Sequence, residues 1–128
     1  MTASVRPQRG EIWYAFLPGQ PDDPHQPRPC LVVSIDVRNR RSDDVIVVPI
    51  FSHGRLGPTH VAILTGMGGL SRDSVLFCEE IATLDQSFLA RGPLGPLAPR
   101  RVLDDVVQGI LFAVGGRRRL VPLLDATE

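Results

Sequence analysis

Short apolar segments, each interrupted after a few residues by glycine, proline or polar residues, restrict most strongly what this chain can fold into. The segments with the alternation or β-branched content of strands are 11–17, 30–36, 45–51, 60–64, 74–84 and 94–97. Segment 74–84 fits either one long bent strand or two short ones. Only segment 99–114 places its apolar residues at helical spacing. This pattern predicts a mainly β (α+β) fold, a small barrel of about six to seven strands with a C-terminal α-helix packed on it.

The segments between these strands are predicted as loops and turns. Pro18–Pro27 carries prolines at positions 18, 21, 24 and 27, and proline cannot donate a hydrogen bond to a sheet. Its length is typical of a functional loop rather than of a plain connector. Turns are expected at 38–44, 52–58 and 65–73, and one helical turn at 85–90.

The length and the hydropathy of the chain predict one domain without a membrane segment. The chain has 128 residues, which favours a single domain over residues 1–128. No run reaches the roughly 18 consecutive apolar residues of a membrane span. Residues 1–9 are polar and lack the apolar core of a signal peptide. We therefore expect a cytoplasmic protein with no membrane partner.

Charge and cysteine content restrict the class of function further. The formal net charge is +0, so no overall basic field attracts nucleic acid, and any phosphate binding has to be local. Cys30 and Cys78 both lie in apolar segments and are expected to be buried thiols. The two cysteines and three histidines do not have the close spacing of zinc ligands. We therefore expect no metal and no cofactor.

Arg28 stands where the proline-rich loop ends and the second apolar segment begins. Its guanidinium stays charged at physiological pH, and its rigid fork of donors suits a phosphate group. A side chain at a strand end backed by a core is held better than one on a loop. The sequence therefore predicts a local phosphate contact at Arg28.

Several short sequence blocks occur in a fixed order around Arg28. They are Arg9-Gly10-Glu11-Ile12-Trp13, Arg28-Pro29 with Leu31-Val32-Val33-Ser34, Pro58-Thr59-His60-Val61, Ser71-Arg72-Asp73-Ser74-Val75 and Glu79-Glu80-Ile81-Ala82-Thr83-Leu84-Asp85. Each block alone is a weak motif, whereas the ordered set is fairly specific. Through these blocks the chain resembles the MazF/PemK family of toxin endoribonucleases from type II toxin–antitoxin systems.

The resemblance implies an SH3-like, CcdB-like barrel that forms a homodimer. It implies a metal-independent, sequence-specific endoribonuclease that cleaves single-stranded RNA by attack of the 2′-OH, which leaves a 2′,3′-cyclic phosphate and a 5′-hydroxyl. It also implies a cognate MazE-like antitoxin whose disordered tail occupies the RNA groove. Outside the matched region, residues 1–8 are expected to be a flexible N-terminus and residues 115–128 a C-terminal extension.

The predicted catalytic residues are Arg28, Ser52 and His53. Arg28 matches the key arginine of the family, which implies that it binds the scissile phosphate and donates to the leaving oxygen. Phe51 stands at the position of a second family residue, a threonine. Ser52 follows directly, but neighbouring strand residues point to opposite faces, so a bulge or turn has to direct its hydroxyl towards phosphate. Histidine is the side chain type best suited to proton transfer near neutral pH, so His53 is a candidate general acid or base.

The predicted RNA-binding residues are Trp13, Phe16, Asp23, His25, Phe51 and Glu80. Phe51 either stacks on a base or is a core aromatic. Asp23 and His25 belong to the proline-rich loop, which matches the family loop that gates the RNA groove. Glu80 stands where the family often carries glutamine, so the cleavage sequence of relatives cannot be transferred. His60 is expected to be a structural partner rather than a catalyst.

Two alternatives without catalysis remain open from the sequence. The first is a protein that poisons DNA gyrase by protein contact, as the related CcdB-type barrels do. The second is a degenerate homologue that only binds an antitoxin. Phe51 and Glu80 favour the first alternative, whereas the intact Arg28-Pro29 block opposes it.

Overall fold

The computed structural model describes residues 6–17 and 26–116. Within these ranges the strands are β1 Ile12–Ala15, β2 Arg28–Val32, β3 Asp44–Phe51, β4 His60–Ile63, β5 Ser74–Phe77, β6 Ala82–Asp85 and β7 Leu89–Arg91. The helices are α1 Asp36–Arg41 and α2 Arg100–Ala113. Single 3₁₀ turns lie at Met67–Gly69, Cys78–Glu80 and Gln86–Phe88. The predicted mainly β architecture with a C-terminal helix is confirmed.

The strands form one antiparallel sheet with the order β4-β5-β3-β2-β1-β7. β3 is its centre, because it pairs with three strands. One edge of β3 pairs with β2, with Cys30 opposite Pro49 and Val32 opposite Val47. The other edge pairs first with β6 and then, at Ile50 and Phe51, with β5. The sheet therefore changes direction along β3, as a small barrel requires.

Side-chain alternation divides the interior into two apolar clusters. Ile12 of β1 and Leu31 of β2 lie in the larger cluster, where Val102 and Val106 of α2 also pack. Ala15 and Cys30, on the opposite faces of the same strands, lie in the smaller cluster. The prediction that the first strand is covered on both sides is therefore confirmed.

The amphipathic segment 99–114 forms the expected helix, α2. Val102, Leu103, Val106 and Gly109 are its buried positions. An added Cβ at Gly109 would lie 2.7 Å from Sγ of Cys78, so only glycine allows α2 to approach the 3₁₀ turn Cys78–Glu80 this closely. In the described ranges, neither helix is long and apolar enough to cross a membrane.

The expected buried thiols are confirmed. Cys30 and Cys78 are free and buried. Burial raises the pKa of Cys30 to about 12 and that of Cys78 to about 11, so neither is a thiolate near neutral pH. Both cysteines are therefore packing residues.

Two local predictions were wrong. Segment 38–44 was expected to be a turn, but α1 covers most of it. This short helix depends on a tertiary contact, since the buried Asn39 donates from Nδ2 to the carbonyl oxygen of Ser34 at 2.9 Å. The last strand was expected at 94–97, but β7 lies at Leu89–Arg91, where Ala15 of β1 pairs with Leu89. Neither contact has a signal in the local sequence.

The remaining strand and turn boundaries differ from the predicted ones for physical reasons. The second strand ends at Val32 rather than at residue 36, because Ser34 leaves the ladder and its Oγ accepts from the backbone N–H of Ile46 at 3.0 Å. Segment 74–84 forms two strands, since the 3₁₀ turn at Cys78–Glu80 interrupts it. The expected helical turn within 85–90 is the 3₁₀ turn Gln86–Phe88.

The packing of α2 gives a paired prediction on adjacent valines. Val106→Ala removes a fully buried side chain and is expected to lower the free energy of unfolding by about 2 kcal/mol. Val107→Ala, at a position that is 37% exposed, is expected to cost less than about 1 kcal/mol. Urea unfolding of both variants measures the difference, and equal losses would contradict this packing of the helix.

Candidate functional site

Arg28 lies at the edge of a cleft on the sheet surface. The cleft has a volume of about 240 Å³. Its lining residues are Tyr14, Arg28, Pro29, Ile50, Ser52, Leu70, Ser71, Arg72 and Ser74. We call this space the Arg28 cleft. Two arginines and four residues with hydroxyl groups therefore line a small site with a partly apolar floor.

Strand register explains the floor of the Arg28 cleft. Tyr14 pairs with Pro29 across β1 and β2, and continuing the β2–β3 register places Pro29 opposite Ile50. These three residues therefore share one face of the sheet. Ser52 follows Ile50 by two residues and reaches the same side. Ser52 thus enters the cleft because its parity is that of Ile50 and opposite to that of Phe51.

The loop between β4 and β5 supplies the opposite wall. Gly69 in this loop has a φ of +91° and lies against the backbone of Leu94 and Gly95, so a side chain there is excluded. Asp73 closes the loop by accepting from the backbone N–H and from Oγ1 of Thr65, both at 2.8 Å. These hydrogen bonds lower the pKa of Asp73. The Asp73 carboxylate is thus engaged with Thr65, while its neighbour Arg72 lines the cleft.

A row of aromatic rings lies on the face of the sheet opposite to the Arg28 cleft. The Cζ atom of Arg28 is 5.0 Å from the ring centroid of Phe51. The Phe51 ring is 4.6 Å from that of Phe77, and Phe77 stacks on His60 at 4.3 Å. We call Phe51, Phe77 and His60 the aromatic row. Arg28 thus contacts both the cleft and the end of this row.

His60 anchors the far end of the aromatic row. Its Nε2 lies 3.0 Å from Oε2 of Glu79, and Oγ1 of Thr59 donates to Oε1 of the same carboxylate at 2.8 Å. The hydrogen bond to Glu79 is the main cause that raises the pKa of His60. Desolvation opposes the charge on Glu79, but hydrogen bonds from His60, from its own backbone and from Thr59 lower its pKa overall. The expected structural role of His60 agrees with these contacts.

The structure brings together only some of the predicted site residues. Arg28 and Ser52 line the cleft, and the ring of Phe51 contacts Arg28 on the side away from the cleft. His53 is exposed in the loop after β3 and lies outside the lining of the cleft. Glu80 is exposed in the 3₁₀ turn after β5.

The predicted residues of β1 and of the proline-rich loop have other positions. Trp13 packs against the smaller apolar cluster, and its Nε1 donates to Oε1 of Glu11 at 3.0 Å. Phe16 is 40% exposed just beyond β1. Asp23 and His25 lie outside the described residues.

Tyr14 and Arg72 line the cleft but were not among the predicted site residues. Alternation along β1 could have indicated Tyr14, because it occupies the opposite face from Trp13. Arg72 belongs to the sequence block Ser71-Arg72-Asp73-Ser74-Val75, which by itself indicates no role in the site. It is far from Arg28 in the sequence, and nothing local indicates that the two arginines line one cleft.

Comparison with known proteins identifies the family. Residues 8–113 match the family described as PemK-like, MazF-like toxin of type II toxin-antitoxin system. The chain belongs to this family, which confirms the resemblance found in the sequence blocks.

Two relatives by sequence are named endoribonucleases. The chain is 36% identical over 85 residues to endoribonuclease EndoA of Bacillus subtilis (strain 168), covering 64% of this chain and 73% of EndoA. It is 37% identical over 87 residues to endoribonuclease MazF of Staphylococcus saprophyticus, covering 64% of this chain and 71% of that protein.

Solved structures share the fold. An endoribonuclease in complex with its cognate antitoxin from Mycobacterial species has a TM-score of 0.71 and 26% identity, covering 88% of this chain and 98% of that chain. MazF from Deinococcus radiodurans has a TM-score of 0.72 at 23% identity, covering 88% of this chain and 99% of that chain. The second likeness shows the fold alone.

The ion pair of His60 gives a prediction for stability against pH. Because the pKa of His60 is raised from 6.5 in the folded protein, the ion pair contributes stability that is present below pH 6.5. This contribution is lost as the pH rises through the pKa of His60 in the folded state. The lowered pKa of Glu79 contributes stability that is present above 4.5 and lost as the pH falls through its folded-state value. His60→Gln is therefore expected to lower the free energy of unfolding more at about pH 5.5 than at about pH 8.5.

Urea unfolding of the wild type and His60→Gln at both pH values measures this difference. His53→Gln is the matched control, because His53 is exposed in the neighbouring loop. The same loss for His60→Gln at both pH values would contradict the role of the ion pair.

Proposed function

We propose that this chain is the toxin of a type II toxin–antitoxin system and that it is a metal-independent, sequence-specific endoribonuclease of single-stranded RNA. The observation that carries the proposal is the Arg28 cleft, in which Arg28, Arg72 and Ser52 converge. Membership of the toxin family and the relatives named endoribonucleases support it. We also propose a cytoplasmic location, where RNA substrates are found.

The proposed reaction is a transphosphorylation in which the RNA supplies its own nucleophile. The 2′-oxygen attacks the adjacent phosphorus as its proton leaves, and the bond from phosphorus to the 5′-oxygen breaks as that oxygen gains a proton. The products are a 2′,3′-cyclic phosphate and a 5′-hydroxyl. Arg28 stabilises the negative charge that develops on the phosphoryl oxygens, because its guanidinium stays protonated and offers paired donors.

Ser52 and His53 complete the proposed catalytic set. Ser52 lines the cleft, and in this proposal its hydroxyl donates to a non-bridging phosphoryl oxygen. In this proposal the imidazole of His53, the next residue, accepts the proton of the 2′-OH once RNA is bound, and water supplies the proton to the leaving 5′-oxygen. Since His53 is exposed on the loop after β3, this role requires the RNA to pass over that loop.

The proposed RNA path extends from the cleft towards exposed side chains. Phe16 follows Tyr14 by two residues and is 40% exposed, which suits stacking on a base. The exposed carboxylate of Glu80 is suited to accept from base amino groups. Trp13, Asp23, His25 and Phe51 stay predictions as RNA-binding residues.

The proposed partners are a MazE-like antitoxin and a second copy of the chain. The solved relative in complex with its cognate antitoxin supports the first. Apolar side chains that are exposed on or next to α2 offer contact area for either partner; they are Val107, Leu111, Phe112 and Val114. The division into one domain over 1–128, with a flexible N-terminus at 1–8 and an extension at 115–128, stays a prediction.

The noncatalytic alternatives gain no support. A protein that acts by contact alone does not require two guanidinium groups in one cleft with a serine hydroxyl. The relatives by sequence are named endoribonucleases. Double-strand breaks that depend on gyrase, without RNA scission, would establish the gyrase-binding alternative.

Cleavage of RNA in EDTA tests the proposed activity. The purified protein is incubated with a long single-stranded RNA, and the new ends are mapped and tested for cyclic phosphate. Arg28→Ala is expected to lower the rate by about 10²- to 10³-fold, since it removes a donor to the developing charge. Arg40→Ala, at an exposed position of α1, serves as the control with an unchanged rate. Absence of cleavage by the wild type, or full activity of Arg28→Ala, contradicts the proposal.

Arg72 is expected to contribute to RNA affinity through a phosphate contact. Arg72→Ala should weaken binding of an RNA with a 2′-deoxy substitution at the cleavage site, while the single-turnover rate at saturation stays close to that of the wild type. The slope of log affinity against log salt should become shallower by about 0.7, the value for one phosphate contact of a single strand. Fluorescence anisotropy at several salt concentrations measures both quantities. An unchanged salt slope means that Arg72 does not bind a phosphate.

A further inference from the structure

We propose that Phe51 is a positioning residue that holds the guanidinium of Arg28 at the cleft through a cation–π contact. This inference rests on the proposed RNA cleavage, since Arg28 is the residue that Phe51 positions. It assigns a function to the one site position at which this chain departs from the expected threonine.

The register of the sheet places the two side chains together. Cys30 of β2 pairs with Pro49 of β3, so continuing the antiparallel register by two residues places Arg28 opposite Phe51 on the same face. Directly opposed side chains on one face are neighbours. The measured distance of 5.0 Å from Cζ to the ring centroid lies within the range of cation–π attraction.

The ring of Phe51 is itself held in place. It packs on Phe77 with an interplanar angle of 58°, and Phe77 is covered on another side by Gly54 and by His60. An added Cβ at Gly54 would lie 2.8 Å from Cζ of Phe77, so the loop backbone is in direct contact with that ring. His60 is fixed in turn by Glu79. The aromatic row therefore provides Arg28 with a rigid surface.

A rigid surface matters because an arginine side chain has many rotamers. When a side chain loses its rotamer freedom only as RNA binds, this loss of entropy weakens binding or slows the reaction. A preorganised side chain has already lost that freedom before RNA binds. A cation–π contact acts through the charge of the guanidinium over the ring face, whereas binding of a phosphate uses the N–H donors that lie in the guanidinium plane. Phe51 can therefore orient Arg28 without competing with phosphate for the same donors.

The same alternation places Ser52 on the opposite side of the end of β3 from the Phe51 ring. Phe51 and Ser52 have opposite parity along the end of β3, so the ring supports Arg28 from one side while Ser52 lines the cleft. Stacking of an RNA base on the face of Phe51 that Arg28 covers would require Arg28 to move away. Arginine positioning and base stacking on this face thus exclude each other, which makes them separable by experiment.

Substitutions at residue 51 that keep or remove the aromatic face test the inference. Phe51→Leu keeps an apolar side chain but loses the π face, and it is expected to lower the single-turnover cleavage rate roughly ten-fold. Affinity for a 2′-deoxy RNA should change less than about two-fold. Phe51→Tyr, which restores a ring, should restore the rate. In the Arg28→Ala background, Phe51→Leu should have no further effect.

An NMR measurement tests the contact without reference to activity. The side-chain Nε–Hε resonance of Arg28, assigned by its loss in Arg28→Lys, is expected to shift in Phe51→Leu and to keep its position in Phe51→Tyr. If the wild type cleaves no RNA but this pattern is seen, the proposed function fails while the contact between Phe51 and Arg28 stands.

Three results would overturn the inference. The first is full cleavage activity of Phe51→Leu together with an unchanged Arg28 resonance. The second is a loss of RNA affinity in Phe51→Leu that persists in the Arg28→Ala background, which would establish base stacking instead. The third is equal loss of activity in Phe51→Leu and Phe51→Tyr, which would reduce Phe51 to a packing residue.

Discussion

β3 hydrogen-bonds to three other strands, and the site depends on this arrangement. Its first half holds β6 on one edge while β2 occupies the other, and its last two residues pair with β5. Because alternate side chains point to opposite faces, the end of β3 contributes to two different environments. Ile50 and Ser52 line the Arg28 cleft, whereas Phe51 joins the aromatic row. One strand end thus builds both the cleft and the surface behind its arginine.

The two apolar clusters give this strand end its rigidity. β1, β2 and β3 are covered on both faces, and α2 closes the larger cluster. A side chain at the edge of such a layer has fewer ways to relax than one on a loop. Arg28 is at the first residue of β2 and benefits from this support. The loop that carries Arg72 is anchored by Leu70, which is buried in the larger cluster, and is fixed further by glycine geometry and the Asp73–Thr65 hydrogen bonds.

The aromatic row connects Arg28 to the ion pair between His60 and Glu79, and His60 lies in the edge strand β4. Arg28, Phe51, Phe77 and His60 lie in sequence across β2, β3, β5 and β4, and Glu79 neutralises His60 at the end. The overall charge of the chain is balanced, so the phosphate binding that we propose has to be local. Two arginines line one cleft, while the carboxylates of Asp73 and Glu79 are engaged with Thr65 and His60.

The amino-acid sequence by itself determined the kind of fold and the family, and it indicated Arg28 as a candidate site residue. Strand and helix periodicity, and each of the sequence blocks between Arg9 and Asp85, depend only on neighbouring residues. They can therefore be recognised without a structure. Tertiary structure alone decided the position of β7, the formation of α1, the side on which Ser52 emerges and the arrival of Arg72 beside Arg28. These features depend on which distant strands pair, and in which register. Local sequence carries little information about such pairing, because every residue except proline offers the same backbone N–H and C=O groups.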